Sequence, residues 1–186
     1  LCSTYEEAWA YYETYEEYIL GIISDIDFSR NGEQDPEAGI AFARDVKRRH
    51  SDIPILLQSN DTSKEQAAYE LDTHFVMKDS PTLLQELRQF TAERFGFGDF
   101  IFRMENGHEV GRASDLLSLE EQLKMVPDES IHYHAEHNHF SNWLKARTEF
   151  WLAHKLRPRK VSDYPTTAEL RKDLVSSLKE YRRMRQ

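Results

Sequence analysis

The sequence predicts an α/β fold with a parallel sheet over residues 1–95, followed by a β-hairpin and a mainly helical module over residues 96–186. Three observations carry this. Short runs at Ile19–Ile26, Ile55–Gln58 and Thr73–Met77 alternate with stretches of helical period, the pattern of strands joined by right-handed crossovers. The first run is apolar almost throughout, as parallel strands buried on both faces are. The texture then changes at Phe95-Gly96-Phe97-Gly98, which marks the expected boundary between the two units.

Taken in order, residues 4–17 have high helix propensity, and Tyr5, Trp9, Tyr12 and Tyr15 recur at helical spacing, so an amphipathic helix is expected. The strand at Ile19–Ile26 is followed by a polar loop, Ser29–Gln34, with Asn31-Gly32 as its turn signal. Asp35 reads as an N-cap and Pro36 as the first residue of a helix reaching about His50, with Gly39, Phe42, Ala43 and Val46 on its buried stripe. After the strand at Ile55–Gln58, a turn over Ser59–Ser63 leads to a helix with Ala67, Ala68 and Leu71 inward. The strand ending at Met77 gives way to a turn at Asp79-Ser80-Pro81 and a helix with Leu83, Leu84, Leu87 and Phe90 inward.

In the second unit, Phe100–Met104 and Glu109–Arg112 flank a Glu105-Asn106-Gly107 turn and read as a hairpin. Three helices are expected to follow. Ser118-Leu119-Glu120-Glu121 is a capping box for the first, Asn138 or Ser141 a cap for the second, and Thr166 with Glu169 a cap for the third. The second carries a wide apolar surface from Phe140 to Leu156, with Pro158 just past its end. There is no internal repeat, low-complexity tract or Gly/Ser linker.

Composition narrows the function classes. A chain of 186 residues and 22.0 kDa can bury a sizeable core. Cys2 is the only cysteine, so no internal disulfide can form and a reducing, cytoplasmic setting is expected. There is no apolar run of about 18 residues and no basic-then-apolar leader, so neither a membrane span nor a signal peptide is expected. The net charge of -9 argues against a nucleic-acid partner. Basic residues do gather from Lys155 onward, which reads as a solvated helix face. The chain opens at Leu1 inside what looks like an element, and is expected to be a piece of something longer.

The chemistry concentrates where the strands end. Asp25, Ser59 and Lys78 each close one of the three runs, so a parallel sheet brings a carboxylate, a hydroxyl and an ammonium to one edge, the edge at which open α/β sheets bind ligands. Such a set can hold a phosphoryl group: the carboxylate as nucleophile, the hydroxyl and the ammonium as donors to its oxygens.

In this order and spacing, Ser24-Asp25-Ile26-Asp27, Pro54-Ile-Leu-Leu-Gln-Ser59 and Phe75-Val-Met-Lys78 resemble the later part of a response-regulator receiver domain, a flavodoxin-like fold. The resemblance implies that Asp25 is the phosphoacceptor, with Ser59 and Lys78 as its partners, Phe75 as the switch aromatic, and the Asp27 backbone carbonyl as a contact for Mg²⁺ beside Asp25. It also implies that the first strand and helix of a receiver, with its acidic metal-holding pair, precede Leu1. Asp79 stands where receivers usually have Pro, and the loop after Asp25 is longer and more polar. A bare edge on the strand at Ile19–Ile26 would then be covered by a second copy of the chain or by the preceding strand.

Gly96-Phe-Gly-Asp-Phe-Ile-Phe-Arg103, Val126-Pro-Asp-Glu-Ser130 with His134, Asn138–Phe150 and Leu156–Asp163 resemble a segment that follows an atypical receiver in bacterial phosphoenolpyruvate synthase-related proteins. That resemblance implies a regulatory region, itself not an enzyme, whose partners are the catalytic domains of a phosphotransferase parent and a phosphodonor kinase.

Other readings compete. A degenerate receiver would act as a scaffold without phosphorylation. Asp25 with Asp27 resembles the Asp-x-Asp of haloacid dehalogenase-like phosphatases, although Phe28-Ser29-Arg30 is not the expected small-residue turn and no acidic pair follows Lys78. His132, His134, His137 and His139 are dense enough to suggest zinc, but their spacing fits no ligand pattern. A helix-turn-helix output is disfavoured by the acidic balance and the aromatic content of residues 140–151.

Overall fold

The computed structural model describes residues 1–157 and 159–185, and the chain divides into two compact units, Leu1–Phe95 and Gly96–Gln186. In the first, α1 (Tyr5–Tyr15) opens at Thr4, whose extended backbone halts the helix and whose hydroxyl accepts the Glu7 N–H. Its Tyr5, Trp9 and Tyr12 rings meet the edge of Phe42. β1 (Ile22–Asp25) begins where the Ile22 N–H reaches the Pro54 carbonyl, three residues later than the apolar run suggests.

The expected loop over Ser29–Gln34 is instead a hairpin of β2 (Phe28–Arg30) and β3 (Glu33–Asp35). Asn31 and Gly32 both have positive φ, 55° and 80°, the backbone of the tight hairpin turns whose twist matches that of the strands. Asn31 also donates its N–H to Glu6, and the Arg30 guanidinium lies over the Tyr5 ring, so α1 holds a ribbon too short to stand alone. Asp35 therefore ends β3 rather than capping a helix: its carboxylate accepts the Glu37 N–H, and α2 (Ala38–Arg49) starts two residues beyond Pro36.

α2 buries Ile40, Phe42, Ala43 and Val46 on the sheet. Gly39 lets it approach closely: a Cβ there would lie 2.1 Å from the Asp25 carbonyl oxygen. β4 (Ile55–Ser59) has Ile55, Leu56 and Leu57 fully buried, as a central strand covered on both faces must. A 3-10 turn at Thr62–Lys64, opened by Asp61, leads into α3 (Glu65–Tyr69), and β5 (His74–Met77) and α4 (Leu83–Arg94) complete the unit. The sheet is parallel, in the order β1-β4-β5. Alternation sends Ile55, Leu57 and Phe75 to the cluster shared with α1 and α2, and Leu56 and Val76 to Phe90 of α4. Leu84, expected inside, is exposed because the buried stripe of α4 runs through Leu83, Leu87 and Phe90.

The second unit opens with β6 (Phe100–Arg103) and β7 (Glu109–Ala113), paired antiparallel. Its first residues are pinned from within: Arg147 stacks 3.5 Å over the Trp143 ring and donates to the Gly96 and Gly98 carbonyls. Among the described residues five helices follow rather than three: α5 (Leu116–Leu123), α6 (Asp128–Glu136), α7 (His139–Ala146), α8 (Phe150–Leu156) and α9 (Thr167–Met184). α5 is capped by Asp115 rather than by Ser118, which closes the box from the third helical position. The long helix expected across residues 140–156 is broken at Thr148, which has φ 60°. There the Arg147, Thr148 and Glu149 N–H groups turn back to the carbonyls of Leu144 and Lys145, ending α7 so that α8 can fold against it. Pro158, expected to stop that helix, lies outside the described residues.

Thr166 caps α9, accepting the Glu169 N–H. The solvated face expected of the basic C-terminal residues is laced with ion pairs: Lys172, Lys179 and Arg183 are exposed, while Lys155, Arg159, Arg171, Arg182 and Arg185 pair with Glu180, Asp173, Asp128, Glu120 and Glu149. Glu120 is buried, which opposes its ionisation, yet hydrogen bonds from Lys124 and Arg182 outweigh burial and hold its carboxyl below the usual range.

Candidate functional site

Because β1, β4 and β5 run parallel, their C-terminal ends share one edge. Asp25 closes β1 and is in register with Gln58, and Lys78 directly follows β5, its N–H donating to the Ser59 carbonyl at 3.0 Å. β1 and β5 are not neighbours. With strands about 4.8 Å apart, roughly 10 Å separates them, and only a long side chain spans that gap. Lys78 does so, bringing Nζ to 2.9 Å from Asp25 Oδ2. The other oxygen, Oδ1, accepts a hydrogen bond of 2.6 Å from Gln58 Nε2.

This ion pair is half open to water, with side chains 40% exposed for Asp25 and 35% for Lys78. At such exposure an ion pair is worth at most about 1 kcal/mol, so its consequence is geometric: it fixes a carboxylate and an ammonium against each other on a solvent-facing rim. The rim is built on a stiff base. Ile26 donates its N–H to the Gln58 carbonyl and accepts that of Gly39, which ties the end of β1 to both β4 and α2.

The other expected site residues are placed differently. Ser59 ends β4, but its hydroxyl accepts the Asp61 N–H at 3.1 Å, and among the described residues no hydrogen bond joins it to Asp25. Register explains this: successive strand residues face opposite sides, so the side chain that shares a face with Asp25 is that of its partner Gln58. Phe75 is buried in the core between the sheet and α2. The Asp27 carboxylate accepts from Gln34 Nε2 and so binds the hairpin to the end of β1. Sequence reasoning misses Gln58 as a site residue, although a lone amide ending the run Ile55-Leu56-Leu57 is a visible signal.

The residues do not fit Mg²⁺. A magnesium ion requires oxygen ligands in near-octahedral array. Among the described residues Asp25 is the one acidic side chain paired with Lys78 at this rim, and each of its oxygens already has a partner. Among the described residues no group of three His, Cys, Asp or Glu side chains is arranged to hold a metal ion, and the histidines of α6 and α7 are no exception. His134 is buried, its Nε2 accepts the Arg103 N–H at 2.8 Å, and its Nδ1 lies 2.9 Å from Nδ1 of His139. Since Nε2 accepts, the neutral ring carries its proton on Nδ1 and donates it to His139. Burial, with the neighbouring His139, His137 and Arg103, pushes the His134 pKa down to about 3. It is a neutral packing histidine between Phe100 and Tyr133.

Among the described residues no helix is long and apolar enough to cross a membrane. Compared with protein-family models, with curated proteins and with solved structures, the chain matches none.

Proposed function

We propose that residues 1–95 are a flavodoxin-like, receiver-type regulatory unit in which Asp25 is the phosphoacceptor, and that the chain is a regulatory region of a larger phosphoenolpyruvate synthase-related phosphotransfer protein. The observation that carries this reading is the pairing of Asp25 with Lys78 across the ends of β1 and β5. A carboxylate at a parallel-sheet edge, half exposed and countered by an ammonium on a flexible stem, is suited to accept a phosphoryl group. In that step an Asp25 oxygen forms a bond to phosphorus, the bond from phosphorus to the donor's leaving group breaks, and an acyl phosphate remains. Lys78 leaves the carboxylate and follows the phosphoryl oxygens, neutralising charge where it accumulates. No step is assigned to Mg²⁺, which the described residues do not fit.

The same geometry favours a second reading, a scaffold that is never phosphorylated, because both Asp25 oxygens are already engaged. Incubating the full-length protein with acetyl phosphate, with and without Mg²⁺, separates the two by mass spectrometry. One phosphoryl group on the Asp25 peptide, absent from Asp25→Asn, is expected; an unmodified Asp25 under both conditions rules out the phosphoacceptor and leaves the scaffold.

A further inference from the structure

Lys78 and Gln58 hold Asp25 in different ways. The lysine reaches from a neighbouring loop on a flexible stem and can move with a transferred charge. Gln58 sits within β4, in register with Asp25, and Leu57 before it and Ser59 after it are paired in the sheet as well. Its backbone is therefore fixed, and on a stem one rotatable bond shorter than that of lysine its amide donates to Oδ1 at 2.6 Å. A carboxylate oxygen is a stronger acceptor than the carbonyl oxygen of an acyl phosphate, because a charged acceptor makes the stronger hydrogen bond. An interaction that is stronger before a reaction than during it slows the reaction.

We infer that Gln58 is a positioning residue that acts as a brake: it masks Asp25 in the unmodified chain and holds the carboxylate back from electrophiles. The inference rests on the reading of Asp25 as phosphoacceptor and adds the regulation of that site. It assigns to Lys78 and Gln58 opposite roles, since the ammonium gains contacts as a phosphoryl group arrives and the amide loses strength. Gln58 touches Asp25, not the donor, so its effect is expected as a rate at one carboxylate and not as a change in fold.

The test uses the full chain and a water-soluble carbodiimide with an amine as the probe. This reagent attacks accessible carboxylates whether or not they are phosphoacceptors. Modification of Asp25 is measured by peptide mass spectrometry and divided by that of Asp72, whose side chain is 99% exposed and which follows α3 in sequence. In Gln58→Met, which keeps length but cannot donate, the ratio is expected to rise about fivefold, the factor that corresponds to about 1 kcal/mol, the typical net worth of one hydrogen bond. Gln58→Leu is the second variant and should behave alike. Asp72 is already exposed and does not report loosening, so Asp45 of α2, whose side chain is 32% exposed, is the second reference. General loosening of the fold would raise Asp25 and Asp45 together, whereas loss of the brake raises Asp25 alone. An unchanged ratio in either folded variant overturns the brake. Acetyl phosphate labelling of the same samples then reads the underlying assignment: a raised ratio without any phosphoryl adduct keeps the mask and removes the phosphoacceptor, whereas an adduct with a flat ratio does the reverse.

Discussion

Replacing His134 with glutamine should make the second unit markedly less sensitive to mild acid. His134 is 4% exposed and is held neutral, its pKa taken from an ordinary 6.5 to about 3 by burial, with the neighbouring His139, His137 and Arg103 disfavouring a further positive charge. Between those values the unfolded chain binds a proton that the folded chain does not. Stability is therefore fully present above 6.5 and falls as the pH drops toward 3. Linkage with these two values gives a loss of about 2 kcal/mol between pH 7 and pH 5. The glutamine side chain of His134→Gln would keep an acceptor for the Arg103 N–H and has no proton to take up, so that slope should vanish. The assay is urea unfolding at pH 7, 6 and 5, followed by Trp143 fluorescence in a Trp9→Phe, Trp151→Phe background so that the signal reports the second unit. If wild type and His134→Gln lose stability in parallel between pH 7 and pH 5, or if the His134 ring titrates near 6.5 by NMR in the folded chain, the reasoning is refuted.

Two smaller perturbations test how the units are assembled. Gly39→Ala sets a methyl group 2.1 Å from the Asp25 carbonyl oxygen and 2.7 Å from Ile26 Cα, backbone atoms that cannot swing away; a loss of about 2–3 kcal/mol is expected in urea unfolding of the first unit, and a neutral outcome would mean that α2 does not seat this closely on β1. Thr166→Ala removes the acceptor for the Glu169 N–H at the start of α9, and should cost about 1 kcal/mol in the same measurement on the second unit, with Thr166→Ser restoring it.

What the sequence revealed depended on whether the signal was periodic or required register. The parallel sheet was legible because Ile55-Leu56-Leu57 is apolar at every position, which a central strand covered on both faces demands. The cap at Thr166 was legible because Thr and Glu three residues apart make a local motif that needs no partner elsewhere. The β2–β3 ribbon was not, since its strands are polar and short and are held by contacts of Asn31 with Glu6 and of Arg30 with Tyr5 of α1 that no local pattern records. The break at Thr148 was hidden for a related reason. Its φ of 60° is unusual for a β-branched residue, and the apolar surface on either side, Trp143 and Leu144 before it and Leu152 and Ala153 after it, reads as one stripe until packing shows two helices sharing a core.

The strand-end site shows the same division. Asp25 and Lys78 were found as strand terminators, and the sheet order is what brings them together. Gln58 displaced Ser59 as the partner of Asp25 because side-chain direction in a strand has a period of two, and a one-residue step changes the face. That step also alters what the site can do. A hydroxyl would be a neutral donor free to rotate toward a phosphoryl oxygen, whereas an amide anchored in β4 is spent on the carboxylate itself. In the unmodified chain Asp25 and Lys78 cancel in charge. An acyl phosphate with about two negative charges would leave the rim negative by about one after Lys78 is counted, and would pull that lysine away from β1. Because the Lys78 N–H is fixed to the Ser59 carbonyl, the backbone stays while the ammonium moves. In the proposed reading the signal is therefore a redistribution of charge on a rigid sheet edge, sensed by whatever binds that rim, and not a repacking of the core beneath it.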